Sequence, residues 1–211
     1  MASLKVLLLK METVNWSRIP DYSDGKESVE EVTKRFQGYK DLLLRNGVSF
    51  DGNVIVLDLC SGPVGFGCVC PNTIAIDVDW PIVKDVRKNG FKAVQGDICN
   101  LDFDEGTFDI VLSFFPPVDT ILQSMSGSHD MEFLGSDRSP IVGRPAARTW
   151  QQRYVEYAAP MVKPKGRLIL HDNGVLPDHG LDKDFLGFYG LSVAKEIQMG
   201  KKGCLYVFDK M

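Results

Sequence analysis

"NVIVLDLCSGPVGFG", residues 53–67, decides the fold. Val54 to Leu57 are apolar and make a buried strand. Asp58 ends the run. Gly62, Pro63, Gly65 and Gly67 then crowd the next stretch. Residues of that kind let a chain turn sharply and carry its backbone close to a ligand. A strand that stops on a carboxylate and breaks this way points to a binding site.

Outward from this stretch, strands and helices alternate. "TIAIDV" at 73–78, "KAVQGD" at 92–97, "FDIVLSF" at 108–114 and "GRLILHD" at 166–172 are further strands. "DWPIVKDVRKNG" at 79–90 reads as a helix, with Pro81 in its first turn and Gly90 at its end. "TWQQRYVEYAAPMV" at 149–162 is helical in pattern, stopped by Pro164-Lys-Gly166. Upstream, Ser28 to Glu31 form a capping box. Val29, Val32, Phe36, Tyr39 and Leu43 then recur at helical steps, to about Arg45. This order predicts a doubly wound, mostly parallel sheet in a three-layer α/β domain. "LSVAKEIQ" at 191–198 and "CLYVFDK" at 204–210, joined by "MGKKG", close it as an antiparallel hairpin.

With 211 residues, the chain suits one domain, 1–211. Residues 1–27 read as an arm or flap, and 119–148, without clear period, as a lid-like insertion after the fourth strand. "SLKVLLLKM" at 3–11 is too short for a signal peptide and lacks a cleavage site. No segment approaches the length of a membrane span. Five cysteines, an odd number with three clustered at Cys60, Cys68 and Cys70, suggest a reducing, cytoplasmic setting. Cys68-x-Cys70 does not have zinc spacing, so no metal is expected. The net charge of −4 argues against a broad grip on nucleic acid.

Two cofactors compete for the glycine turn. A dinucleotide requires Gly-x-Gly-x-x-Gly. Glycines 62, 65 and 67 run in the reverse order, Gly-x-x-Gly-x-Gly. The chain instead resembles the class I S-adenosylmethionine-dependent methyltransferases from about residue 28 to 211. "VLDLCSGPVGFG", "AIDVD", "VQGDI", "FDIVLSFFPP", "KPKGRLIL" and the final hairpin occur in that family's order. The resemblance implies a Rossmann-like seven-stranded sheet, with its last strand inserted antiparallel, and S-adenosylmethionine as cofactor.

It also implies roles. Asp58 lies near the amino group of the methionine part. Cys60, Ser61, Gly62, Pro63 and Gly65 form the turn against the cofactor. Asp77, followed by Val78, accepts from the ribose hydroxyls. Asp97 and Ile98 meet the adenine, which Trp80 and Ile98 sandwich. Ser113 joins this set at the end of the fourth strand. Asp77 or Asp79 equally fits as a helix cap, and Asp97 as a turn residue. Cys60 and Val64 stand where the family has glycines.

"SFFPPVD", 113–119, resembles the Pro-Pro motif of enzymes that methylate base amino groups. Phe115 and Val118 stand where that motif has its polar and aromatic residues, so Phe115, Pro116 and Pro117 are read as the rim of the acceptor pocket. His171, at the end of the fifth strand, and Asp119 are the candidate bases. Arg144 and Arg148 can grip a carboxylate or phosphate, and would make the acceptor anionic. The expected function is methyl transfer to a small acceptor. A nucleic-acid or protein methyltransferase is the alternative, and a non-catalytic binding protein of the same fold the second.

Overall fold

The structure is a computed structural model. It describes residues 29–62, 64–101, 103–114, 150–172, 181–199 and 203–211. The arm at 1–27, Ser28, the 119–148 insertion and the hairpin tip at 200–202 lie outside the described residues.

Seven strands form one sheet: β1 Val56–Leu59, β2 Thr73–Asp77, β3 Lys92–Gln95, β4 Phe108–Ser113, β5 Val162–Asp172, β6 Leu191–Gln198 and β7 Cys204–Lys210. Their order is β3-β2-β1-β4-β5-β7-β6. β7 runs antiparallel to both β5 and β6, and the pairings among β1 to β5 are parallel. The predicted sheet and its reversed last strand are both present. Strand order reverses between β1 and β4. Open α/β sheets bind ligands beyond the carboxyl ends of their strands at such a point.

The helices are α1 Val29–Arg45, α2 Trp80–Lys88, α3 Trp150–Ala158 and α4 Lys183–Phe188. α1 buries the stripe Val32, Phe36, Tyr39 and Leu43. These residues pack with Val56, Ile110, Leu112 and Ile169 on one face of the sheet. α2 presses Val83 and Val86 on Ala75 and Ala93. On the opposite face Tyr154, Val155 and Ala158 of α3 and Leu186 of α4 pack with Leu57, Val111, Leu168 and Phe208. Strand alternation sends odd and even residues to opposite layers, so two apolar cores enclose one sheet.

Three sequence readings need correction. β1 begins at Val56, because Val54 donates its N–H back to the Asp51 carbonyl in a turn. The helix at 149–162 ends as α-helix at Ala158 and tightens to a 3-10 turn, Ala159–Met161, at Pro160. Pro164-Lys-Gly166 lies within β5, which starts at Val162. Lys165 adopts a φ of 65°, and the pairing with β4 shifts between Phe108 and Ile110. The breaker residues make a bulge.

Candidate active site at the carboxyl edge

β1, β2 and β3 bring Asp58, Asp77 and Asp97 to one edge. The register pairs Asp58 with Ala75 and Asp77 with Gln95. Each acid thus lies at or close to its strand's end, stepped along adjacent strands.

Asp58 is 2% exposed, and its Oδ2 accepts from the Phe66 N–H at 2.6 Å. Phe66 opens the short 3-10 turn Phe66–Cys68 that carries the chain from β1 toward β2. Burial pushes the Asp58 carboxyl up to about 7; the Phe66 N–H opposes this, and the charge of Asp77 adds to it. Asp77 folds the turn from the other side. Its Oδ2 accepts from the Gly62 N–H at 3.2 Å, and its Oδ1 from the Asp79 N–H at 3.0 Å. Burial raises its pKa, against the N–H groups of Asp79 and Gly62. Asp79 is the N-cap residue of α2 but makes no side-chain cap bond. The Gln95 amide donates to the Val78 carbonyl at 2.9 Å and fixes the segment after β2.

The turn needs its glycines at two places. Gly62 has a φ of 63° and Gly65 of 68°. A Cβ on Gly65 would stand 3.3 Å from Asp58 Oδ2. Gly65 therefore lets the chain lie directly against the buried carboxylate, one position from where the family pattern has its glycine. Cys60 holds a φ of 59° without being glycine, and Ser61 is buried, its N–H on the Ile76 carbonyl. Pro63 lies outside the described residues.

Asp97 is half-buried and precedes the 3-10 turn Ile98–Asn100, with Ile98 buried. Trp80 is 48% exposed, and the Arg87 guanidinium lies 5.4 Å from its ring centroid.

Ser113 and His171 face opposite layers. Ile110, Leu112 and Phe114 belong to the α1 side and Val111 to the α3 side, so alternation puts Ser113 with α3. His171 shares the α1 side with Ile169. It is buried, its ring centroid lies 6.3 Å from that of Tyr39, and its Nδ1 is 2.6 Å from the Phe114 carbonyl. A carbonyl only accepts, so Nδ1 carries the proton and Nε2 is the basic nitrogen. Phe115, Pro116, Pro117, Asp119, Arg144 and Arg148 lie outside the described residues.

Sequence reasoning missed Gln151 and Tyr154, two buried polar side chains on the inner stripe of α3. Burial raises the Tyr154 phenol, with Cys60 and Asp58 adding to the rise. The signal was the helical period itself, which places 151, 154, 155 and 158 on one face. A separate hollow of about 570 Å³ opens at the opposite, amino edge of the sheet, among Glu105, Pro160, Phe188, Tyr189 and Lys210. It is remote from the three carboxylates.

A seven-stranded α/β sheet with β7 reversed is the fold of class I methyltransferases. Solved structures share the fold. Magnesium protoporphyrin IX methyltransferase from Synechocystis, with bound S-adenosylmethionine, has a TM-score of 0.56 at 12% identity, covering 95% of this chain and 86% of that one. CalS10, an amino pentose methyltransferase from Micromonospora echinaspora with bound S-adenosylmethionine, has 0.56 at 12%, covering 88% and 98%. The N-methyltransferase NodS from Bradyrhizobium japonicum has 0.51 at 14%, covering 83% and 97%. No family model and no curated protein matches the sequence.

Proposed function

We propose that this chain transfers a methyl group from S-adenosylmethionine to a small acceptor. The observation that carries the reading is the turn from Cys60 to Cys68, held between Asp58 and Asp77 at the point where strand order reverses. The residues suit the cofactor. Gly65 lets the backbone pack against Asp58 where a Cβ would crowd the carboxylate, and acidic side chains suit a ligand bearing a sulfonium and an ammonium.

Asp77 would take the ribose hydroxyls, Asp97 the adenine amino group, and Trp80 and Ile98 the faces of the ring. Asp58 and the backbone from Cys60 to Gly65 would receive the methionine part. Bound S-adenosylmethionine supplies an electrophilic methyl group on a sulfonium whose leaving group needs no acid. The protein's work is then to aim the acceptor, exclude water and take a proton where the acceptor carries one. His171 fits the last role through Nε2, because the Phe114 carbonyl fixes the tautomer. Against that role, His171 lies beside Tyr39 on the α1 side.

Calorimetric titration with S-adenosylmethionine and, in parallel, with NAD tests the reading. S-adenosylmethionine is expected to bind saturably and NAD not at all. Asp77→Ala is expected to weaken the first by at least about tenfold, the scale of a lost hydrogen bond to a charged group. Asp77→Asn, which keeps an acceptor for the Gly62 N–H, separates loss of the ribose contact from collapse of the turn. Absence of binding to the folded wild type would overturn the proposal.

A further inference from the structure

The hollow at the amino edge opens because β5 extends beyond its neighbour. β5 begins at Val162, but its pairing with β7 begins only at Arg167, opposite Asp209. The bulge at Lys165 occupies that interval. The end of β7 stays with the start of β6, Lys210 opposite Leu191. A gap of about 570 Å³ is left between two lips.

Local contacts define the lips. Gly106 donates its N–H to the Pro160 carbonyl at 2.9 Å, and a Cβ on it would stand 3.7 Å from Pro164 Cδ. Glu105, Pro160 and Pro164 therefore share one lip. On the other, Met211 donates its N–H to the Gly190 carbonyl at 2.8 Å, and Lys210 Nζ donates to the Tyr189 carbonyl. The Phe188 and Tyr189 rings meet edge to face there, 5.1 Å between centroids. Phe188 is 83% exposed, more than any other described large apolar side chain. A bare ring beside a hollow marks a surface that gains by being covered.

The two lips differ in chemistry. The first carries an acid and two prolines, the second a base and two aromatic rings. Glu105 is exposed, and Lys163 nearby is paired with Asp109. Lys210 spends one of its three N–H donors on Tyr189. Burial lowers its pKa, and the charge of Glu105 opposes the fall. A surface divided in this way is complementary to itself. A two-fold axis lying along the hollow sets each lip on the opposite lip of a second copy. Glu105 then meets Lys210 of the second copy, and Phe188 meets its Pro160 and Pro164, twice over. A small ion of one sign would satisfy one lip and oppose the other, whereas a second copy satisfies both.

We propose that the amino edge is the interface of a symmetric homodimer, in which Phe188 of each copy fills the hollow of the other and Glu105 pairs with Lys210 across the two-fold. Both carboxyl edges stay outward and open, so this does not rest on the methyltransferase reading.

Sedimentation velocity of the full chain, from micromolar to millimolar protein, tests it. The wild type is expected to pass from monomer to dimer. Glu105→Lys and Lys210→Glu should each weaken association at least about tenfold, because symmetry turns two attractions into two repulsions. An equimolar mixture of the two variants should associate within about threefold of the wild type, since opposite charges again meet at both places. Phe188→Ala should also cost at least about tenfold, its ring being lost from both halves of the interface. Glu105 and Phe188 are exposed, so these two variants keep the fold, which circular dichroism verifies, and they decide the matter even where Lys210→Glu unfolds. A wild type monomeric throughout, a dimer of unchanged affinity in Glu105→Lys or Phe188→Ala, or a mixture of folded variants no tighter than either alone would each overturn the inference. A failure of the wild type to bind S-adenosylmethionine would count against the methyltransferase reading and leave these association data to be read as they stand.

Discussion

Asp58 is a carboxylate in a place that disfavours charge. It is fully enclosed, it faces Asp77, and a single short bond from Phe66 offsets part of the cost. Its pKa in the folded chain is about 7, above the unfolded value. The folded state therefore binds the proton more readily than the unfolded state does. Stability must fall as pH rises from about 4 to about 7, and then level off, with a total effect on the order of 4 kcal/mol from this group. Urea unfolding between pH 4 and 8 checks this. Asp58→Asn, whose amide oxygen still accepts from Phe66, should flatten that part of the profile and be the more stable protein at pH 8. Cys60 makes a second demand on one residue. Its φ of 59° is left-handed, which costs a non-glycine residue about 1–2 kcal/mol. Glycine has more unfolded freedom to lose, so Cys60→Gly should gain only about 0.5–1 kcal/mol, whereas Cys60→Val should lose more than that. The strain was illegible in the sequence. The letters showed only that a cysteine had replaced a family glycine, and only the fold shows that the backbone kept the glycine's conformation.

At the scale of elements, patterns with a clear period were legible, and tightly local ones were not. The α1 stripe and the strands β2, β4 and β7 follow from apolar spacing, because burial against a sheet face selects for it. α4 escaped because six residues show too little period. Its one signal was Asp182, whose carboxylate accepts from the Phe185 N–H at 2.8 Å. Pro164-Lys-Gly166 misled for a different reason. Breaker residues mark a backbone irregularity, and a bulge within a strand satisfies them as well as a loop does. Gly166 makes that bulge testable. A Cβ there would stand 2.7 Å from the Asp109 carbonyl and 2.9 Å from the Lys163 carbonyl, both backbone atoms that cannot give way. Gly166→Ala should cost about 1–3 kcal/mol by denaturant unfolding. Gly96 is the control. Its Cβ would come within 2.8 Å of Leu101 Cδ2, the free end of a flexible side chain, so Gly96→Ala should cost less than Gly166→Ala.

For the whole molecule, charge and topology act together. The sheet gathers Asp58, Asp77, Asp79 and Asp97 at one edge of a chain whose net charge is −4. That the three strand-end acids would converge was legible, since parallel strands in sequence order present their carboxyl ends together. Which side of the sheet each polar group faces was not. Ser113 and His171 read alike as strand-end residues, yet alternation sends them to opposite layers. An acidic edge favours a cationic ligand over its neutral counterpart, so S-adenosylmethionine should bind more tightly than its affinity for the uncharged thioether S-adenosylhomocysteine would suggest. Salt weakens the part of that attraction that passes through solvent, where the Debye length shortens from about 10 Å at 0.1 M to about 3 Å at 1 M. Raising NaCl across that range should reduce the affinity for S-adenosylmethionine about two- to fivefold more than that for S-adenosylhomocysteine. Acid should act in the same direction. Below pH 7 Asp58 takes up a proton, the edge loses one negative charge, and the advantage of the sulfonium shrinks. Paired titrations of the two compounds at pH 6 and 8, at low and high salt, measure both effects. A ratio unmoved by either would mean that the carboxylates shape the turn through their backbone bonds alone and do not act on the ligand's charge.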